Sequence, residues 1–365
     1  MRTILARAAL LLGLAWLSVP TLATASDGSF ISSFNSNTQI ASTIPANGDI
    51  NPYGVAVVKR TVGALTQGHI LVSNFNNGAN LQGTGTTIVD VAPSGALNLF
   101  AQIDASELPG SCPGGVGLTT ALVVLRAGWV IVGSLPTNDG TAATAQAGCL
   151  IVLNSIGHVV ETLSGDLING PWDMTAVESD DAAVLFVTNV LNGTVAANGK
   201  VVRKGTVVRI LLDFEAAVPV ERARTVIASG FGERSDPSAL VIGPTGVGLG
   251  RDGTLYVADT LANRIAAVSD ALTRTTASHA GSTVSARGAL NSPLGLAIAP
   301  NGDILVTNGG NGNLVEIIPG GMQLAVRNID STGAGAGTLF GLAIAPGGRG
   351  VYFVNDGNNT LNLVH

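Results

Sequence analysis

Residues 292–308 read SPLGLAIAPNGDILVTN, and residues 338–347 repeat this pattern as TLFGLAIAPG, followed by VYFVN at 351–355. Looser copies lie upstream, so that six copies can be aligned. They are centred on Gly54, Gly117, Trp172-Asp173, Gly246, Gly295 and Gly341. A unit that recurs at a regular spacing identifies an architecture before any single residue identifies a chemistry.

The internal order of each copy predicts a β-propeller. A Pro or Gly turn leads into a strand of small apolar residues, an Asn-Gly or Asp-Gly turn often follows, and further short strands come next. The second strands end at Asn74, Ser134, Asn189, Asp259, Asn308 and Asn355. Repeats of about 40 to 50 residues with about four short strands are typical of propeller blades. We therefore predict an all-β fold of six four-stranded blades, with a seventh blade hidden in the long insertions as the competing count.

The two ends of the chain predict how the ring closes. The last repeat stops at its third strand, at residues 361–365, and lacks an outer fourth strand. The segment 29–34, SFISSF, supplies a spare apolar strand near the N-terminus. Pairing this N-terminal strand with the last blade would close the ring and cover an open sheet edge.

Composition excludes two broad classes of protein. Charged residues make up 12% and aromatic residues 4% of the chain, which carries 48 glycines. An amphipathic helix bundle needs more Glu, Lys and Arg than this. The net charge of −6 also argues against a nucleic-acid partner, which requires a basic face.

The first 25 residues resemble a secretory signal peptide. Arg2 and Arg7 precede a mostly apolar stretch at 8–19, and the small residues ATA at 23–25 predict cleavage before Ser26. The apolar stretch is short for a membrane anchor, the alternative interpretation. We predict a signal peptide at 1–25, one propeller domain at 26–365, a periplasmic or extracellular location, and no stable membrane anchor after cleavage.

Two cysteines, Cys112 and Cys149, are present in the chain. In an exported protein such a pair favours a disulfide over two buried thiols. The bond would tie the segment that leads into one repeat to a strand of the same repeat. Two cysteines alone do not make a metal site.

The best-defined copy resembles an NHL repeat. Its second strand ends in YVAD at 256–259, and its third strand restarts with NRI at 263–265. This resemblance covers most of residues 45–365 and implies a six-bladed propeller. It does not imply one activity, because the fold hosts lyases, lactonases and binding domains.

Related six-bladed hydrolases, the gluconolactonase-like and paraoxonase-like enzymes, are similar in architecture and place carboxylates and amides at the start of the innermost strands. The corresponding positions here are Tyr53, Val116, Trp172, Thr245, Leu294 and Phe340. None is acidic, so we predict no calcium centre, no other metal site and no cofactor. Asp173, one position later, is interpreted as a structural hydrogen-bonding residue.

The same positions suggest a binding surface. If they point toward one mouth of the ring, they form a mostly apolar pocket suited to a small molecule. The predicted binding residues are Tyr53, Trp172, Asp173, Thr245, Leu294 and Phe340. The alternative is that these side chains pack between blades as ordinary core.

No catalytic constellation is evident in the sequence. The four histidines fall at unrelated points of the repeat, and a Gly-x-Ser-x-Gly motif is absent. The first hypothesis is therefore a non-catalytic binding or scaffold module that meets an unidentified small molecule or protein at one face. The alternative is a propeller enzyme of the lactonase or lyase type with unrecognised catalytic residues.

Overall fold

A computed structural model of the protein describes residues 28–165, 167–331 and 339–365. The predicted signal peptide at 1–25 lies outside these ranges, so its cleavage and the exported location stay predictions. Across the part of the chain that is described, no helix has the length and apolar character needed to cross a membrane.

Strands make up about half of the described residues, and most of these strands are short. In chain order the first thirteen are β1 (Asn37–Ser42), β2 (Ile50–Val57), β3 (Ile70–Asn76), β4 (Thr87–Val91), β5 (Leu97–Gln102), β6 (Leu118–Val124), β7 (Val130–Ser134), β8 (Cys149–Leu153), β9 (Val159–Leu163), β10 (Pro171–Glu178), β11 (Ala182–Asn189), β12 (Val202–Asp213) and β13 (Val220–Asp236). The others are β14 (Leu240–Ile242), β15 (Pro244–Leu249), β16 (Leu255–Asp259), β17 (Arg264–Val268), β18 (Ser278–His279), β19 (Ser282–Ala286), β20 (Pro293–Ile298), β21 (Ile304–Asn308), β22 (Asn313–Ile317), β23 (Gln323–Asn328), β24 (Leu342–Ile344), β25 (Val351–Asn355) and β26 (Thr360–Val364). Among the described residues, helical structure is limited to α1 (Thr194–Ala197) and the 3₁₀ turns Ala105–Glu107, Ala142–Thr144 and Pro346–Gly348.

These strands form six antiparallel blades in a ring, which confirms the predicted six-bladed β-propeller. Written from the innermost strand outward, the blades are β2-β3-β4-β5, β6-β7-β8-β9, β10-β11-β12-β13, β15-β16-β17-β19, β20-β21-β22-β23 and β24-β25-β26-β1. The third blade is extended by β14 and by β18, which pairs in parallel with β13. The long insertions therefore enlarge existing blades and do not add a seventh one.

The ring closes through an N-terminal strand, but not through the predicted segment. β1, at residues 37–42, pairs with β26 and completes the last blade. Residues 29–34 instead form a turn whose Ile31 and Phe34 are buried against the last two blades. The reason is Glu316, which accepts hydrogen bonds from the backbone N–H groups of Phe30 and Ile31 at 2.7 and 3.0 Å. Pairing with a neighbouring strand would need one of these two N–H groups, because alternate N–H groups of a strand face its partner.

Glycine allows neighbouring innermost strands to approach closely. A Cβ atom on Gly295 would collide with the carbonyl oxygen of Phe340, and one on Gly246 would collide with that of Leu294. The apolar side chains beyond this point fill the wedges between blades, where they form separate buried clusters. The small residues of the repeat are thus explained by packing around the axis.

Buried hydroxyl groups join consecutive blades close to the axis. The bonds run from Ser73 Oγ to Thr119 O (2.8 Å), Thr119 Oγ1 to Pro171 O (2.8 Å), Thr188 Oγ1 to Thr245 O (3.0 Å), Thr245 Oγ1 to Leu294 O (3.1 Å) and Thr307 Oγ1 to Leu339 O (2.8 Å). We call this set the hydroxyl ring. It links the six blades in order, from the first to the sixth.

The second blade departs from the predicted alignment. Leu118 pairs with Ser134 as Pro52 pairs with Asn74, so Thr119 and Thr120 follow the position at which four of the other blades carry proline. The placement of Val116 among the residues that begin the innermost strands was therefore wrong. The sequence has no proline at Leu118, and the register shift between Leu118 and Leu122 hides the correct alignment.

The predicted disulfide is confirmed. Cys112 and Cys149 are bonded, with their Cα atoms 5.2 Å apart. The bond ties the loop before β6 to the first residue of β8 in the same blade. A buried disulfide is consistent with an exported protein.

Candidate active site

The predicted binding residues converge at one end of the propeller axis. The ring of Tyr53 stacks on Phe340 with centroids 3.9 Å apart and on Phe75 at 4.5 Å. Trp172 meets these three rings edge-on. With Leu294, which is 7% exposed, they form one buried cluster that we call the aromatic plug.

The outer side of the aromatic plug is covered by insertions of the second and third blades. Leu240 and Val241 in β14 belong to the same buried cluster, and so does Ala145 after the turn Ala142–Thr144. Tyr53 is 2% exposed and Trp172 is 1% exposed. Burial, aided by the charge of Asp356, raises the pKa of Tyr53 well above its usual value. This end of the axis is packed with side chains, and ligand binding by the plug residues stays a prediction.

Thr245, another predicted binding residue, belongs to the hydroxyl ring. Its Oγ1 lies 2.9 Å from Thr260 Oγ1 and donates to the backbone of the fifth blade. The residue is 4% exposed. Its visible role is to hold two blades together.

A channel runs along the axis on the other side of the aromatic plug. Its volume is about 590 Å³, and the innermost strands of all six blades line it. Apolar side chains dominate the wall, among them Leu122, Met174, Leu249 and Ile298. The channel extends to Lys59, whose side chain is 45% exposed, at the opposite face. It is therefore closed at the plug and open at the far end.

Asp173 lies at the closed end of this channel. Four other blades carry glycine at the matching position: Gly54, Gly246, Gly295 and Gly341. The Asp173 carboxyl group accepts hydrogen bonds from Met174 N at 2.8 Å and, across the blade junction, from Val247 N at 3.0 Å. The residue is 8% exposed, on the channel side.

The Asp173 carboxyl group titrates far from its usual range. Burial raises its pKa from 3.8 to about 8, although the two backbone N–H donors act in the opposite direction. Among the described residues that line the channel, Asp173 and Lys59 are the titratable ones. A carboxyl group with a pKa near neutrality in a cleft is typical of acid–base catalysis.

Thr120 adds a buried hydroxyl group to the channel wall. It comes from β6, which lies next to β10 in the ring, and its residue is 6% exposed. Its Oγ1 has no hydrogen-bond partner within the described ranges. A buried hydroxyl without a partner is unusual and remains free to bind a polar atom after rotation about χ1. Sequence analysis missed this residue because of the register error in the second blade.

No protein-family model and no curated protein matches the sequence of this chain. Comparison with solved structures does give matches across most of its length. Regucalcin from Agrobacterium tumefaciens, described as a calcium-binding protein, matches with a TM-score of 0.57 and 13% identity over 91% of this chain and 93% of its own. A streptogramin B lyase matches with a TM-score of 0.52 and 15% identity over 90% and 97%. A gluconolactonase from Xanthomonas campestris matches with a TM-score of 0.53 and 12% identity over 87% and 86%.

At these identities the similarity establishes the shared six-bladed fold. It does not specifically support NHL repeats, and that resemblance stays a prediction. The neighbours contradict the prediction of a non-catalytic binding or scaffold module, since solved propellers that match nearly the whole chain include a lyase and a gluconolactonase. The interpretation that left catalysis open and favoured a protein without enzymatic activity is corrected on the same ground.

A calcium site of the kind suggested by one neighbour does not fit this axis. Calcium requires several converging oxygen ligands. The residues at the start of the innermost strands are instead the aromatic plug and two threonines that already bond the backbone. Within the described ranges, no group of three or more His, Cys, Asp or Glu side chains could hold a metal ion.

Proposed function

We propose that the protein is a propeller enzyme of the lactonase or lyase type, with Asp173 as its general acid–base residue. The observation that carries this proposal is the position of Asp173 at the closed end of the axial channel, with a pKa near 8. The fold neighbours support this choice of reaction type, because they include a lyase and a gluconolactonase.

The proposed chemistry depends on proton transfer to and from the Asp173 carboxyl group. In hydrolysis, the Asp173 carboxylate removes a proton from water as the oxygen of that water adds to the carbonyl carbon of a lactone or ester. The C–O bond to the leaving oxygen then breaks, and Asp173 returns the proton to that oxygen. In an elimination, the carboxylate removes a C–H proton, a C=C bond forms and the leaving carboxylate departs. The Thr120 hydroxyl is placed to donate a hydrogen bond to a substrate oxygen.

A purely structural role explains Asp173 less well. The glycines of the other blades show that the close contact of innermost strands needs no side chain at this position. Burial removes water from the ionised carboxyl group at this position and so makes ionisation unfavourable. The raised pKa of Asp173 reflects this cost. An asparagine would accept one of the two backbone hydrogen bonds without that cost, because its amide group has a single acceptor oxygen, but it could not transfer a proton.

The channel wall limits the substrates that fit. Its side chains between Asp173 and Lys59 are mainly aliphatic, as at Val55, Leu122 and Leu296. Such a wall favours a molecule with an apolar body and a carbonyl group at its leading end. A highly hydroxylated sugar lactone would leave most of its hydroxyl groups without partners.

The experiment is a turnover assay with a panel of small lactones and esters, from aliphatic to polyhydroxylated. Product mass separates hydrolysis, which adds one water, from elimination, which does not. We expect Asp173→Asn to lower kcat/KM by about 10² to 10⁴. We also expect kcat/KM of the unaltered protein to rise with pH toward a plateau above about 8, because the base form of Asp173 is required.

Asp104→Asn is the matched control, because Asp104 is an exposed carboxyl group that caps a 3₁₀ turn and is not among the residues that line the channel. It should leave activity unchanged. Lack of turnover across the panel would contradict the proposed reaction type. Turnover that Asp173→Asn leaves intact would remove Asp173 from the mechanism.

A further inference from the structure

A second cavity lies away from the axis, at the junction of the third and fourth blades. Its volume is about 380 Å³. Three segments form it: the β12–β13 hairpin, the turn between β16 and β17, and the segment around β18. We call it the junction pocket, and it shares no lining residue with the axial channel.

Arg264 is fixed in one wall of the junction pocket. Its guanidinium group donates to Asp259 Oδ2 at 2.9 Å, to Thr283 Oγ1 at 2.7 Å and to the carbonyl oxygen of Ala280 at 2.7 Å. A guanidinium group has five N–H donors, so two remain for another acceptor. The ion pair with Asp259, whose side chain is 3% exposed, orients the guanidinium group.

Arg203 and His279 complete the set of nitrogen donors. Arg203 lies on the extended part of β12, is exposed, and makes no hydrogen bond or ion pair with any described residue. The His279 ring also makes no hydrogen bond or ion pair with any described residue. Its position is set by Gly230, since a Cβ atom there would lie 3.1 Å from His279 Nε2.

Gly230 owes its conformation to a β-bulge. Gly205 pairs with Phe231 and Thr206 pairs with Ser229, so Gly230 is the extra residue on its strand. Its φ of 91° is favourable for glycine and strained for other residues. β-bulges often occur beside functional sites, where they redirect neighbouring groups. This one makes the surface on which the His279 ring rests.

The charge of the junction pocket is opposite to that of the whole protein. Asp259 compensates Arg264, whereas Arg203 has no acidic partner among the described residues. The complete chain carries −6. Unused N–H donors on two arginines and one histidine match the oxygen atoms of a carboxylate or phosphate group.

We propose that the junction pocket binds a small molecule through an oxyanion, either a carboxylate or a phosphate. Arg264 is the fixed donor, Arg203 closes on the anion from the hairpin, and His279 contacts it from the third side. The cavity volume lies within the range of small-molecule sites. This site does not depend on the activity proposed for the channel.

Titration of the full chain with inorganic phosphate and, separately, with succinate tests the proposal. Calorimetry measures affinity, and the imidazole signals in a heteronuclear NMR spectrum report the location. The chain has only four histidines, and His279→Gln assigns the relevant signal. We expect saturable binding of at least one anion, with a shift of the His279 signal.

Arg203→Ala is the informative variant, because Arg203 has no bonds within the described structure and its loss should not disturb folding. We expect the dissociation constant to rise about tenfold or more, as for the loss of a charge-assisted pair. Arg222→Ala is the matched control on the same hairpin, where Arg222 is paired with Asp213 at 2.9 Å, and it should bind normally.

A preference for phosphate or for succinate identifies which oxyanion the pocket selects. Absence of saturable binding of both anions, or equal affinity of Arg203→Ala and the unaltered protein, would overturn the proposal.

Discussion

Asp173→Asn provides a direct test of the electrostatics of the axial channel. The substitution keeps the size of the side chain and removes its ability to ionise. In the folded protein, burial raises the pKa of the Asp173 carboxyl group from 3.8 to about 8. The folded state therefore holds a proton that the unfolded state releases at much lower pH.

The sign of the effect follows from this difference. Because the folded-state pKa is raised, the stabilisation from the bound proton is complete below about pH 4 and is lost as pH rises to about 8. Each pH unit in this window changes the free energy of unfolding by about 1.4 kcal/mol. From about pH 5 to about pH 8, the contribution of Asp173 should fall by about 4 kcal/mol, and Asn at this position removes that dependence.

Urea unfolding at a series of pH values measures the difference in unfolding free energy between the two proteins. The stability of Asp173→Asn relative to the unaltered protein should rise by about 4 kcal/mol between about pH 5 and pH 8. The difference in unfolding free energy between Asp104→Asn and the unaltered protein should stay constant over the same pH range, because hydrogen bonds from Ser106 lower the pKa of the exposed Asp104 carboxyl group. If this difference did not change with pH for Asp173→Asn, the carboxyl group of Asp173 in the unaltered protein would ionise as in the unfolded chain. Acid–base catalysis by Asp173 near neutral pH would then be refuted.

Three further perturbations test the packing around the axis. Replacing Cys112 and Cys149 together with alanine should lower the unfolding free energy by about 4 kcal/mol, since their bond closes a loop of 37 residues. Unchanged urea midpoints with and without reductant would contradict this. Trp172→Ala should cost about 3 to 5 kcal/mol, because the side chain is 1% exposed among three other rings; a calorimetric melting temperature that does not change would instead favour a ligand-binding role. Thr307→Val should cost about 1 to 3 kcal/mol by leaving two buried backbone groups unpaired, and equilibrium unfolding that matches the unaltered protein would show that the hydroxyl ring adds no stability.

The repeat allowed the fold to be predicted because its requirements are local. Gly295 and Gly246 are needed wherever two innermost strands meet, so the pattern recurs and remains visible. The closing strand was misplaced because the segment 29–34 is more apolar than 37–42, although the buried Glu316 binds the backbone of the first segment. A hydrogen bond between residues more than 280 positions apart leaves no trace in the local pattern.

The candidate sites could be predicted only in part from the sequence, because they depend on strand register and on residues that are far apart in the chain. The position of Asp173 next to the repeat was visible, but its raised pKa depends on burial by the surrounding blades. Thr120 was missed because the register of β6 shifts where the sequence lacks the usual proline. Arg203, Arg264 and His279 come from separate segments that meet only at a blade junction, and no spacing rule joins them.

The aromatic plug makes the two ends of the propeller axis different. Many propellers are described as rings around an open hole, whereas here one end is filled by stacked rings and by the strand β14 above them. A molecule that enters the channel must leave backwards through the same mouth beside Lys59. Long polymers cannot thread through, and under the proposed activity a bound product would occupy the mouth that the next substrate needs, so product inhibition would be competitive.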